Sequence, residues 1–280
     1  MPELAEVEYY RKQWLPGLGE TINQVHRHPK ARVFRHCRPR LPFSQWLEGT
    51  TFGEAEAHGK HLLFRFDRPA SFPIWLGIHL GMTGRLLCLE HPAHSPEKHD
   101  HLVLQLNKHA LTFQDSRMFG WVRLDCGPDT PDWWSALPPS LFSESFADDA
   151  FRHRLDRRSN SRLKPLLLDQ SLFPGIGNWM ADEVLWRSRL SPQSRLAALS
   201  SAEKDSLLQQ TTSVGRDALR IIGKTWDDPP ADWLFPHRWK DGGHCPRPPC
   251  RAALQRAPIQ GRTSCWCPVC QPATTTHSGQ

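Results

Sequence analysis

The chain has no run of about eighteen apolar residues, so no membrane-spanning helix is expected. Nor does it open on an apolar signal core; it begins Met1-Pro2-Glu3-Leu4-Ala5-Glu6-Val7-Glu8, and no secretion signal is expected. In the reducing setting this implies, disulfides are excluded, and clustered cysteines should bind metal. Acidic residues are in the minority. The 35 Lys and Arg outnumber the 29 Asp and Glu, and the net charge of +6 favours an anionic partner. The 12 Trp and 15 His among these cations suit stacking on bases, or simply fill a core. At 280 residues there is room for two domains and a small module.

The N-terminus carries the most distinctive chemistry. Met is commonly trimmed before a small second residue, which would leave Pro2 with a free secondary amine. An α-amino group has a reference pKa of about 7.7–8.0, so near neutral pH much of it is unprotonated. Such an amine can attack carbon and form an imine-type intermediate. Glu3 and Glu6, three residues apart, would place a general acid/base beside it. The same residues also read as a capped helix start with an acidic first turn.

From Thr21 to about Leu124 the pattern is strand-like, with short apolar runs at Leu62–Phe66, Ile74–Leu80, Leu102–Leu106 and Trp121–Leu124. The spacing of turn residues between them predicts a β-sandwich or barrel. Three turns stand out. Lys60 follows Gly59 before a strand and reads as a phosphate holder or a solvated edge charge. Met82 lies between Gly81 and Gly84, on a tight turn that would expose an apolar tip. Arg117 and Phe119 share the loop Asp115-Ser116-Arg117-Met118-Phe119-Gly120. Met82 and Phe119 could act as wedges between bases, and Arg117 as a groove donor, if these are not ordinary packed hairpins.

Residues 131–145 read as a linker between a first domain, 1–130, and a helical domain, 146–225. A helix is expected from Lys164 to Gln170 and another from Trp179 to Arg189, with Asn178 as its N-cap. The glycines at 175 and 177 would expose backbone N–H groups to an anion. Ser200-Ser201-Ala202-Glu203 is a capping box that starts a further helix. A Trp-rich stretch from Thr225 to Gly243 gives no readable period. Cys245 and Cys250, then Cys267 and Cys270, have the spacing of a four-thiolate zinc ribbon, so one structural zinc is expected. Cys265 is a competitor for one position. Residues 226–272 form this module, and 273–280 read as a disordered tail.

Taken together, the motifs resemble the bacterial formamidopyrimidine-DNA glycosylase and endonuclease VIII superfamily. The matching pieces are Pro2-Glu3-Leu4-x-Glu6-Val7-Glu8, His79 to Gly84, Glu97 to His101, Asp115-x-Arg117-x-Phe119-Gly120, Lys164-Pro165 through Gly175-x-Gly177-Asn178, and the terminal cysteines followed by Gln271. They run in the family's order over nearly the whole chain. Leu4 favours the formamidopyrimidine branch. The resemblance implies an α+β multidomain fold: an N-terminal helix with a β-sandwich, then a helical domain with a helix–two-turn–helix motif and a C-terminal zinc ribbon. It implies a bifunctional DNA glycosylase and abasic-site lyase of base excision repair, working on oxidised bases in duplex DNA as a bacterial, cytoplasmic, nucleoid-associated monomer.

By that resemblance Pro2 is the nucleophile, Glu3 the proton donor and Lys60 a further catalytic-site residue. Met82, Arg117 and Phe119 would fill the gap left by the extruded base. His79, Lys164, Asn178 and Arg262 would contact DNA, and Glu6 and Glu183 would organise the site. The sequence departs from the family at Ala5, Ser116 and Met118 and in the four-residue spacing of its first cysteine pair. It also lacks a Gly/Thr-rich segment between Gly223 and Cys245 that often covers an oxidised purine. An endonuclease VIII-like preference for oxidised pyrimidines, a lesion-binding protein without chemistry, and a helix-hairpin-helix glycosylase are the competing readings.

Overall fold

A computed structural model describes residues 1–37 and 42–273 of the chain. All but Ala273 of the tail expected at 273–280 lies outside the described residues. The chain divides into two compact units, Met1–Leu137 and Pro138–Gln280.

The first unit opens with helix α1 (Leu4–Gln13), which a single turn of 3₁₀ helix at Leu15–Gly17 ends at Pro16. Two antiparallel four-stranded sheets follow. One has the order β1 (Gln24–Arg27), β6 (Asp100–Gln105), β7 (Ala110–Gln114), β5 (Arg85–Leu89). The other runs β2 (Thr51–His58), β3 (His61–Asp67), β4 (Ile74–His79), β8 (Trp121–Cys126). Inward residues of both sheets form one apolar core, with Phe52, Phe64 and Phe66 from one and Leu102, Leu104, Leu111 and Phe113 from the other. This is the expected sandwich, since alternate side chains of each strand face the other sheet. Trp14 seals helix to sandwich: it is fully buried, its ring meets Phe64, and its indole N–H donates to the Thr112 carbonyl. Short helices α2 (Phe43–Leu47) and α3 (Asp132–Ser135) complete the unit.

The second unit is helical: α4 (Asp149–Asp156), α5 (Leu163–Leu167), α6 (Asn178–Arg187) and the long α7 (Ser201–Thr225). Helix α7 starts at the Ser200 capping box, Ser200 Oγ accepting from Glu203 N–H and Glu203 from Ser200 N–H. Helix α5 is shorter than expected. It stops at Leu167 because the side chains of the next residues compete for the backbone. Asp169 accepts the Ser171 N–H, while Gln170 donates to the carbonyls of Leu168 and Ile176 and accepts the Gly175 N–H. Asn178 is likewise not the N-cap of α6; Gly177, with extended backbone, takes that place and Asn178 is the first helical residue. The hairpin β9 (Gln255–Ile259) and β10 (Arg262–Trp266) closes the unit. Among the described residues no helix is long and apolar enough to cross a membrane.

Candidate functional site

The first unit holds half of the expected residues. Met1 is exposed and Pro2 half-buried, whereas Glu3 is only 2% exposed. Glu3 caps α1 and its N–H donates to the Glu6 carboxylate at 3.2 Å. Glu6 is thereby held in the cap, its acceptor committed to the residue that follows Pro2. Lys60 sits in the two-residue turn between β2 and β3, where Gly59 takes φ +57°. It is buried, which removes the reading of a solvated edge charge.

His79 ends β4, directly opposite His61 of β3 in the strand register. Its Nδ1 accepts the Gly81 N–H at 3.0 Å, so the proton of the neutral ring is on Nε2. The ring stacks on Trp121 at 15°, and Trp133 from α3 closes the same cluster edge-on to Trp121. Burial pushes both imidazoles down to about 4; His79 is lowered further by His61, Lys60 and Arg35 and raised by Asp115, and His61 is lowered by His58 and Lys60. Both rings are therefore neutral at physiological pH.

Met82, Arg117 and Phe119 come from two loops that one carboxylate joins. Asp115 Oδ1 accepts the Thr83 hydroxyl and, at 3.3 Å, the Arg117 N–H; Oδ2 accepts the Gly120 N–H at 2.7 Å. His101 Nε2 donates to the Asp115 carbonyl at 2.7 Å. The loops touch backbone to backbone: a Cβ at Gly81 would overlap Phe119 and Gly120, and one at Gly120 would overlap the His79 carbonyl. At Met118 the chain takes φ +52° and turns that side chain onto the core. Met82 and Phe119 stay outside, 36% and 50% exposed.

In the second unit α6 and the hairpin bring Asn178 and Arg262 together. Asn178 Nδ2 donates to the carbonyl of Thr263, next to Arg262, at 2.9 Å. The Gln260-Gly261 turn has φ +46° and +75°, which leaves Arg262 exposed at the base of the tip. Lys164 is different and corrects the expectation of a DNA contact. It is completely buried; its ammonium donates to Asp182 at 2.5 Å and to the Asn178 carbonyl at 2.6 Å. Asp182 also accepts from Arg238 at 2.6 Å and from the Cys265 N–H at 3.1 Å. The lysine is thus a buried brace between α5, α6, the Trp-rich stretch and β10. Glu183 is buried as well, accepting from Arg187 at 3.0 Å and from the Phe235 N–H at 3.1 Å. Burial pushes its carboxyl up, against the pull of Arg187.

Cys245, Cys250, Cys267 and Cys270 converge, all four sulfurs lying within 4.8 Å of one another. The Cys245–Cys270 and Cys250–Cys267 separations are 3.9 and 3.6 Å. A tetrahedral ion with metal–sulfur bonds of about 2.3 Å needs sulfurs about 3.8 Å apart, so this donor set fits a metal. The Trp186 indole N–H donates to Cys245 Sγ at 3.4 Å and the Cys270 N–H to Cys267 Sγ at 3.4 Å, as outer-shell donors to thiolates do. The longer first knuckle is anchored by Arg247, which lies over the Trp186 ring and donates to its carbonyl. Cys265 stands outside the quartet, and burial raises its thiol to about 12. Asp182, Arg238 and Trp133 escaped the sequence reading. Asp115 stands in the loop motif, but spacing alone does not reveal that its carboxylate joins two loops.

The family description "Formamidopyrimidine-DNA glycosylase N-terminal domain" matches residues 1–122, and "Formamidopyrimidine-DNA glycosylase H2TH domain" matches residues 137–228. A formamidopyrimidine-DNA glycosylase of Thermus thermophilus is 34% identical over 97% of this chain and 98% of its own. One from Streptomyces coelicolor is 32% identical over 97% and 98%. Among solved structures, the Lactococcus lactis Fpg bound to DNA containing an oxidised pyrimidine superposes with a TM-score of 0.83 at 26% identity, covering 97% of this chain and all of the other. MutM in complex with DNA containing carbocyclic 8-oxo-G gives 0.82 at 26% identity with the same coverage.

Proposed function

The chain belongs to the formamidopyrimidine-DNA glycosylase family, and from that premise we propose a residue-level mechanism for excising oxidised bases from DNA. It is a DNA glycosylase of base excision repair. The observation that carries the mechanism is the N-terminus: an exposed Met1, then Pro2, then a Glu3 held out of solvent by its own helix cap.

Removal of Met1 frees the Pro2 amine. The amine attacks C1′ of the damaged nucleotide as the glycosidic bond breaks and the base departs with its electron pair. Glu3 manages the protons. The C1′–O4′ bond of the resulting aminal then breaks, opening the sugar ring; O4′ takes a proton, and the nitrogen lone pair forms an iminium with C1′. The iminium acidifies the C2′ hydrogen, whose loss expels the 3′ phosphate; a second elimination then releases the 5′ phosphate. Lys60 stands by as the further catalytic-site cation. Extruding a damaged base costs least because its pairing is already weakened. Met82, Arg117 and Phe119 fill the vacated stack, and His79, Asn178 and Arg262 hold backbone phosphates. Glu6 supports Glu3, while Glu183 and Lys164 support the helices behind Asn178. Both formamidopyrimidine and 8-oxoguanine lesions are proposed substrates. The cysteine quartet holds one zinc, which supplies structure and takes no part in bond breaking. The enzyme works as a cytoplasmic, nucleoid-associated monomer.

Borohydride reduction during reaction tests this reading. Duplexes carrying an oxidised guanine, an oxidised pyrimidine or an abasic site should each be offered to protein confirmed to lack Met1. A reduced adduct on Pro2 is expected, strongest with oxidised guanine. No adduct on any of the three would leave a lesion-binding protein without chemistry.

A further inference from the structure

A second cationic feature lies outside every residue given a role above. In the second unit a cavity of about 690 Å³ is lined by Arg157, Arg158, Arg162 and Arg195, with Asp169 as the only carboxylate among the described residues that line it, and with Gln260. All four arginines are exposed. Arg158 reaches Asp169 only at 3.6 Å, so one acid faces four guanidinium groups.

The floor of the cavity is rigid. Segments 159–164 and 192–197 run antiparallel and exchange backbone bonds: Leu196 N–H to Ser161, Ala197 N–H to Ser159, Leu163 N–H to Ser194 and Lys164 N–H to Pro192. Arg162 and Arg195 are bridge partners in this pairing. Directly opposed residues project to one face, where like charges destabilise each other. Arg195 is further fixed by donating to the Asn160 carbonyl at 2.6 Å. Two arginines opposed on a stiff backbone offer a seat for an anion, whose arrival removes the repulsion.

The lining residue Gln260 identifies the anion. It is the tip of the β9–β10 hairpin, two residues from Arg262, so the cavity continues the surface already given to DNA phosphates. We propose that the arginine cavity seats backbone phosphates of the bound duplex beyond those held by Asn178 and Arg262. The inference rests on the DNA-processing reading, extends its footprint, and is sequence-independent because phosphates carry no base identity.

The test compares the salt dependence of binding to a duplex carrying a tetrahydrofuran abasic analogue. The full chain is used as wild type, as Arg162→Gln with Arg195→Gln, and as the matching double lysine variant. Each phosphate neutralised contributes about 0.9 to the slope of log K against log salt, so the glutamine variant, which loses the seat for one phosphate, should lose about 0.9 of slope. Between 50 and 200 mM salt the wild type should therefore weaken roughly 3- to 4-fold more than the variant. The lysine variant should keep the wild-type slope. Equal slopes for wild type and glutamine variant overturn the proposal, as does a lysine variant that behaves like the glutamine one. Failure of the catalytic reading looks different: no borohydride adduct on Pro2, whatever the slopes.

Discussion

The Arg117 guanidinium lies 4.8 Å from the centroid of the Phe119 ring, and the pair projects from the loop that Asp115 fastens to Thr83. The aromatic face is thus presented with a cation already packed on it. Stacking of one base on an aromatic ring is worth about 1–3 kcal/mol. Phe119→Ala should therefore weaken binding to an abasic-site duplex by roughly 5- to 150-fold, while Phe119→Trp keeps it. Titration by fluorescence anisotropy reads the difference, and an unchanged affinity for the alanine variant removes Phe119 from the DNA.

Glu3→Gln keeps the size and the cap but not the proton. Single-turnover excision should fall by about 10²- to 10⁴-fold, with affinity for the lesion duplex preserved. Pro2→Gly should abolish the reduced adduct on proline. Full excision by the Glu3 variant would end its assignment as proton donor.

Stability should depend on acid through His61 and His79. Both folded-state values sit near 4, below the ordinary 6.5. Between those limits the unfolded chain takes up protons that the folded chain refuses, so unfolding free energy is full above about pH 7 and falls as pH drops toward 4. Each ring accounts for up to about 3 kcal/mol. Urea denaturation from pH 7.5 to 4.5 should show the decline, and His61→Gln should flatten it; a variant with the wild-type profile contradicts the burial argument.

Asp182 pairs with both Lys164 and Arg238. Asp182→Ala leaves both cations buried without it and should cost about 3–5 kcal/mol of folding stability. A urea midpoint within error of wild type would show that water reaches this brace.

Metal analysis should return about one zinc per chain. Chelation should weaken DNA binding, because an ion held by the four cysteines would fix both ends of the hairpin that carries Arg262. Metal-free protein that binds lesion duplex as tightly as before would confine the quartet to a role outside DNA contact.

Chemistry tied to local spacing was legible in the sequence. The cysteine quartet, the capping box at Ser200 and the strands around Leu62, Ile74, Leu102 and Trp121 follow from patterns within a few residues. What depends on distant partners was not. Lys164 reads as a DNA contact until Asp182, 18 positions along the chain, accepts its ammonium, and Arg238, 56 positions beyond Asp182, closes on the same carboxylate. The Asn178 cap gave way to Gly177 because the backbone of Asn178 is already helical, and its side-chain amide donates to Thr263 in another element. The Trp-rich stretch had no period because its rings pack on different neighbours: Trp233 under Arg187, and Phe235 between Trp179 and Trp239.

Because Asp115 grips both loops, Met82, Arg117 and Phe119 belong to one solid tool whose shape is set when the chain folds. The loop backbones then have little ordering entropy left to lose on binding. Discrimination falls to the other partner: a step that unstacks easily accepts the fixed shape, and a well-stacked one resists it. On this view the protein senses how readily a duplex yields before any base reaches Pro2.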